Sequence, residues 1–287
     1  MTELSDAALS GVRVLITRPQ AQADQWQQLL QAAGAQTVRV PLLEIVPVEA
    51  SQKDACQAIK NIVMDVSRYQ HGIFVSQNAA RYGLDWLEQY WPQMPLGLQF
   101  YAVGSATANY LQRAGYQVTA AGGSMNTEAL LALPQLQDLS HQRVVIFRGQ
   151  GGRPVLAEVL RERGAQVDYC ELYQRHFPSA GVVAALDHCR WGTAGDVVSV
   201  HSGETLSNWR AIIASRAHQT AADPGRPGDQ TDSCSQKPWK QLTLLVPGER
   251  VAAQAREWGF TNVVMAENAS DACMLSTLAD WRAQQPS

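Results

Sequence analysis

Six times along the chain, a short apolar run rich in β-branched residues breaks into a small polar turn, and a helix-spaced pattern follows. The runs are VRVLITRP at Arg18, HGIFVSQNAA at Ser76, FYAVGSATA at Gly104, RVVIFRGQGG at Arg148, VVSVHSGET at Ser202 and LTLLVPGERVA at Gly248. Apolar runs that do not alternate predict strands buried on both faces, as in parallel sheets. Ser, Thr, Pro or Gly at the turn suits the first residues of a helix. Four units also end alike, with a glycine closing the helix before a new strand: GAQTVRV at Gly34, GYQVTAA at Gly115, GAQVDYC at Gly164 and GFTNVVM at Gly259. Glycine is the natural left-handed residue just past a helix C-terminus.

The spacing of these marks repeats. Arg18 to Gly34 and Arg148 to Gly164 are each 16 residues, while Gly104 to Gly115 and Gly248 to Gly259 are each 11. Such recurrence predicts a tandem duplication with a period of roughly 130 residues. Repeated strand–turn–helix units imply right-handed crossovers and parallel sheets covered by helices. The expected fold is therefore α/β, with two three-layer parallel-sheet lobes. Ligands of such sheets sit outside the carboxyl ends of the strands, where the six turns lie. One segment, 215–240, is rich in Pro, Gly, Ser, Thr and Asp and has no periodicity. It reads as a long surface loop inserted in the second repeat.

Bulk properties narrow the function. A chain of 287 residues accommodates two domains, and 46% hydrophobic with 17% charged residues marks it as globular. A net charge of −3 gives no basic face for nucleic acid. No apolar run is long enough to span a membrane, and the N-terminus lacks the pattern of a secretory signal. Five scattered cysteines without a CxxC fit free thiols in a reducing cytoplasm and give no metal site.

ITRP, PLLEIVPV, VSQNAA, AVGSATANYLQRAG, IFRGQGGRPVLAEVLRERGAQV and ELYQR together resemble the uroporphyrinogen-III synthase family. The resemblance covers nearly the whole chain outside 215–240. It implies that residues 1–40 and 177–287 form one α/β domain and 49–167 the other. The extended segments 41–48 and 168–176 would pair as a two-stranded linker, with the active site in the cleft between the domains. From sequence alone, a simple cut near residue 170 stays open. The family converts hydroxymethylbilane to uroporphyrinogen III, losing water and inverting the last pyrrole ring. It uses no cofactor and no metal, and acts as a cytoplasmic monomer. A transient contact with the preceding pathway enzyme is left open.

The resemblance places the family's important tyrosine at Tyr173, in ELYQR. A phenol can donate a proton to a departing hydroxyl at neutral pH; the competing role is packing within a strand. The substrate carries eight carboxylates, which helix N-termini and arginines can bind. Ser76, Asn78, Gly104, Ser105, Thr107, Gly149, Ser202, Gly203 and Gly248 lie at the turns, with N-capping as their competing role. Arg18, Arg148, Arg153 and Arg250 are the nearby cations, with structural ion pairs as theirs. At the fifth and sixth turns HSGET and PGERVA depart from the family pattern, which weakens the case for His201 and Arg250.

RGQGGRP holds only half of a dinucleotide-binding fingerprint, with Pro154 at the third glycine position. No P-loop GK[ST] and no Gly-x-Ser-x-Gly elbow occur. The alternative function is a cytoplasmic bilobal small-ligand binding or sensor protein. Turnover of hydroxymethylbilane, against simple saturable binding, separates the two.

Overall fold

The computed structural model describes residues 8–120, 126–188, 195–222 and 242–285. In chain order its elements begin β1 Arg13–Ile16, α1 Gln20–Ala32, β2 Gln36–Arg39 and β3 Glu44–Pro47. There follow α2 Lys53–Met64, β4 His71–Phe74, α3 Gln77–Tyr90, β5 Gln99–Ala102, α4 Ser105–Arg113 and β6 Val118–Ala120. Next are α5 Thr127–Leu131, β7 Arg143–Gly149, α6 Val155–Glu162, β8 Gln166–His176 and α7 Ala180–His188. The last are β9 Asp196–Ser199, α8 Gly203–Ala222, β10 Thr243–Pro247, α9 Gly248–Glu257, β11 Val263–Ala266 and α10 Asp271–Ala283. None of the described helices is long and apolar enough to cross a membrane.

The chain divides into two compact units, Met1–Glu44 with His176–Ser287, and Ile45–Arg175. The first holds a five-stranded parallel sheet ordered β2-β1-β9-β10-β11. The second holds a six-stranded sheet ordered β3-β8-β7-β4-β5-β6, parallel from β8 to β6. Substituting β8, β7, β4, β5 and β6 for β2, β1, β9, β10 and β11 turns one order into the other, as a tandem duplication requires. The segments read as linker strands are β3 and β8. They are neighbours at the edge of the second sheet, where Val48 N–H donates to the Leu172 carbonyl at 2.9 Å.

Each strand run is apolar throughout because both faces of each sheet are covered. In β7, Val145 and Phe147 pack into the core beneath α2, α3 and α4, while Val144 and Ile146 face α5 and α6. In the first unit, Leu244 and Val246 face α8 and α9, whereas Val14, Ile16 and Leu245 face α1 and α10. Both units are thus three-layered. The four glycines closing α1, α4, α6 and α9 all have positive φ, between 84° and 94°. They free the chain to turn directly from helix into β2, β6, β8 and β11.

One expectation needs correction. Residues 215–222 are not loop but the last turns of α8, which runs to Ala222. SRAHQTAA has no apolar stripe, yet it has the helix-forming alanines to continue an established helix. The remainder of the predicted loop, 223–240, lies outside the described residues.

At the opposite end of the first sheet, Arg13 and Asp196 are direct cross-strand partners. Their side chains bond bidentately, with Nε–Oδ1 and Nη2–Oδ2 both 2.7 Å, and the carboxylate is fully buried. Breaking a fully buried pair costs about 3–5 kcal/mol. Arg13 keeps 30% exposure and can rehydrate. Asp196→Ala should therefore cost about 2–3 kcal/mol in urea unfolding, with activity at permissive temperature intact.

Candidate active site

The predicted turns lie at the C-terminal edges of the strands within each unit. In the second unit, β4 leads into Ser76, the N-cap of α3. Ser76 Oγ accepts the Ala79 N–H at 3.0 Å and lies 2.9 Å from the Tyr173 hydroxyl. Tyr173 comes from β8 and is 2% exposed, its ring forming part of the core with Phe147 and Leu172. A β-bulge puts it there. Arg148 is opposite Glu171, but Gly149 is opposite Tyr173, so Leu172 is the extra residue. The bulge allows the consecutive Leu172 and Tyr173 to enter the same core, which regular alternation forbids. Gly149 makes room for the ring, since a Cβ built on it would lie only 2.5 Å from the Tyr173 ring. Packing and positioning are therefore joined: the same contacts that bury the ring hold its hydroxyl at the head of α3.

On the other face of β7 lies a cavity of about 220 Å³. Arg148, Arg153 and Arg175 line it, with Tyr169, Thr127 and Glu128 among its other walls. Arg148 is 8% exposed, stacks its guanidinium 4.5 Å above the Tyr169 ring and donates from Nε to the Gly149 carbonyl. The guanidiniums of Arg148 and Arg175 both approach Gly152, at 2.7 and 3.4 Å from a Cβ built there. Arg153 and Glu128 are exposed. Three cations and one carboxylate thus surround a pocket with apolar walls, a charge balance that favours an anion. Tyr169 and Arg175 were not singled out from sequence. Arg175 lies two residues beyond Tyr173 on the same strand, a spacing that could have drawn attention to it.

The neighbouring turn after β5 carries Gly104, Ser105 and Thr107 at the start of α4. Ser105 is exposed, but Thr107 is buried at 3%, beside Gly104. Asn78, the second residue of α3, is partly buried.

The first unit offers a second edge. Ser202 caps α8, its Oγ accepting the Thr205 N–H at 3.1 Å and lying 2.9 Å from Thr205 Oγ1. Ser202 therefore plays the capping role at the turn equivalent to Ser76. Gly203 packs under Arg250 and Gln254, whose polar atoms would lie 3.3 Å from a Cβ placed there. Arg250 is exposed, and Gly248 opens α9 directly from β10. Arg18 is ion-paired with Asp271 at the start of α10. Its competing structural role is thus realised, although its Nε is buried and has no partner among the described residues. Burial, then the charge of Arg18, holds the His201 imidazole well below the usual histidine range.

The sequence is matched along residues 24–276 by the family described as "Uroporphyrinogen-III synthase HemD". The uroporphyrinogen-III synthase of Salmonella typhimurium is 31% identical over 92% of this chain and 99% of its own length. That of Escherichia coli is 28% identical, again over 92% of this chain and 99% of its own. Among solved structures, the Helicobacter pylori uroporphyrinogen-III synthetase shares the fold, with a TM-score of 0.56 at 15% identity, over 94% of this chain and 99% of its own. A Thermus thermophilus uroporphyrinogen III synthase mutant gives 0.55 at 16% identity, over 95% and 98%. With the family matched over most of its length, the chain belongs to the uroporphyrinogen-III synthase family.

Proposed function

We propose that this chain closes hydroxymethylbilane to uroporphyrinogen III, releasing water and inverting the terminal pyrrole. The observation that carries the reading is the end-to-end correspondence with named synthases, which disfavours a mere binder. In this reaction the hydroxymethyl C–O bond breaks, the hydroxyl leaves as water, and the pyrrole nitrogen of the same ring supplies the electron pair. The resulting cation is attacked by the substituted carbon of the last ring; the bond from that carbon to its original methylene bridge then breaks, and the bridge re-bonds at the ring's free α-carbon, which loses its proton to give the inverted macrocycle. The substrate provides the electron push, so the protein's tasks are proton supply, charge stabilisation and orientation.

Tyr173 is the proton donor to the leaving hydroxyl. Ser76 already accepts the Ala79 N–H, and its own proton is free to go to the Tyr173 oxygen. That arrangement releases the phenol proton for the substrate and offsets charge left on the phenol oxygen. Arg148, Arg153 and Arg175 receive an acetate or propionate arm in the cavity beside β7. The turns at Asn78, Gly104, Ser105 and Thr107 supply backbone donors for further arms, as do Ser202, Gly203, Gly248 and Arg250 in the first unit.

The decisive assay follows hydroxymethylbilane consumption and separates type I from type III product. Type III formed faster than the spontaneous type I product supports the reading; saturable binding without turnover defeats it. Arg148→Met should retain the stacking on Tyr169 while removing the charge. A charge-assisted hydrogen bond contributes about 1.5–3 kcal/mol, so KM should rise roughly 10- to 100-fold with kcat little changed. An unchanged KM would take the cavity out of substrate binding.

A further inference from the structure

Arg18 and His201 occupy matching places at the C-terminal edge of the first unit's sheet. β1 and β9 pair in parallel with Ile16 opposite Ser199. Arg18 and His201 each lie two residues beyond that pair, Arg18 bonding Asp271 of α10 and His201 packing on Trp26 of α1, on the same face of the sheet. That face is covered by α1 and α10, where Trp26 packs edge-on against the His201 ring at 5.5 Å.

A short relay reaches the histidine from α1. Trp26 Nε1–H donates to Ser199 Oγ at 3.0 Å, and Ser199 Oγ lies 3.4 Å from His201 Nδ1. An indole can only donate, which leaves the serine hydroxyl its own proton, available to Nδ1. With Nδ1 accepting, a neutral ring must carry its proton on Nε2. This Nε2 is buried, and among the described residues it has no partner; the same holds for Arg18 Nε. Asp271 fixes the other end of Arg18. Two buried donors left unmade on adjacent strands are costly unless an acceptor arrives from outside.

We propose that Arg18 and His201 form a carboxylate-binding subsite of the first unit, which takes one acetate or propionate arm of the bilane. Two N–H donors match the two oxygens of a carboxylate. A guanidinium already shared with Asp271, beside a neutral imidazole, suits a single negative charge rather than a phosphate dianion. The inference rests on the reading that the strand edges receive the bilane.

The test compares His201→Phe with His201→Gln. Phenylalanine keeps the ring against Trp26 and removes the donor; glutamine restores an N–H at the same reach. KM for hydroxymethylbilane should rise about tenfold in His201→Phe with kcat within about twofold, and His201→Gln should recover most of the loss. A purely structural histidine would give no such split and no rescue. In the wild-type enzyme, ¹⁵N NMR should find His201 protonated at Nε2. That signal should shift on adding a bilane whose hydroxymethyl is replaced by methyl. The NMR titration decides the matter even should the Phe variant fail to fold. An unmoved His201 signal, or an unchanged KM in His201→Phe, overturns the subsite. If Arg148→Met alone raises KM, the edge reading survives without this subsite; if neither variant does, both fall.

Discussion

Turnover of hydroxymethylbilane should fall about 10²-fold when Tyr173 becomes phenylalanine, at the low end of general acid catalysis. The substitution removes one oxygen and leaves the ring in its core beside Phe147 and Leu172. Among the described residues only the contact with Ser76 is lost, so the melting temperature should drop by no more than a few degrees. Affinity for the methyl-terminated bilane should barely change, because proton donation gains strength only as the C–O bond breaks. The product should remain type III, since ring inversion follows from how the bilane is folded rather than from this proton. Ser76→Ala should show a milder form of the same defect, with an added cost of about 1 kcal/mol for the lost N-cap. Near-normal turnover in the Phe variant would reduce Tyr173 to packing and move the proton donor to water or to a substrate carboxylate.

The strands were legible because both faces of each sheet are covered, which turns RVVIF or TLLV into unbroken apolar runs. The repeat was legible because a parallel unit needs a glycine where helix returns to strand. What escaped was set by contacts between residues far apart in sequence. The bulge at Arg148/Gly149 is a property of two strands together, and no residue in ELYQR marks that Leu172 is the extra one. Arg18 and Arg148 look alike as residues after apolar runs. One meets Asp271, 253 residues away, and the other meets an aromatic ring and a cavity. His201 appeared only as a departure from a family pattern. Its surroundings are set by Trp26 and Ser199, which arrive from α1 and from its own strand.

Gly149→Ala should cost nearly as much turnover as Tyr173→Phe, although Gly149 carries no functional group. Its backbone φ is not positive, so alanine meets no conformational penalty there. The cost is contact: the new methyl would lie 2.5, 2.7 and 2.9 Å from three atoms of the Tyr173 ring. These atoms belong to a rigid ring 2% exposed, so no flexible tip can give way and the whole ring must shift. Overpacking of this kind costs about 1–3 kcal/mol of stability. The shift also draws the phenol away from Ser76, with which it makes a 2.9 Å contact. In Gly149→Ala kcat should therefore fall roughly 10²-fold, since misplacement by about 1 Å costs that much. The double variant Gly149→Ala/Tyr173→Phe tests the cause. If the methyl acts by moving the phenol, the double variant should be no slower than Tyr173→Phe alone, because the displaced group is already absent. Multiplicative losses would show instead that Gly149 touches the reaction by its own route, as part of the wall of the Arg148 cavity.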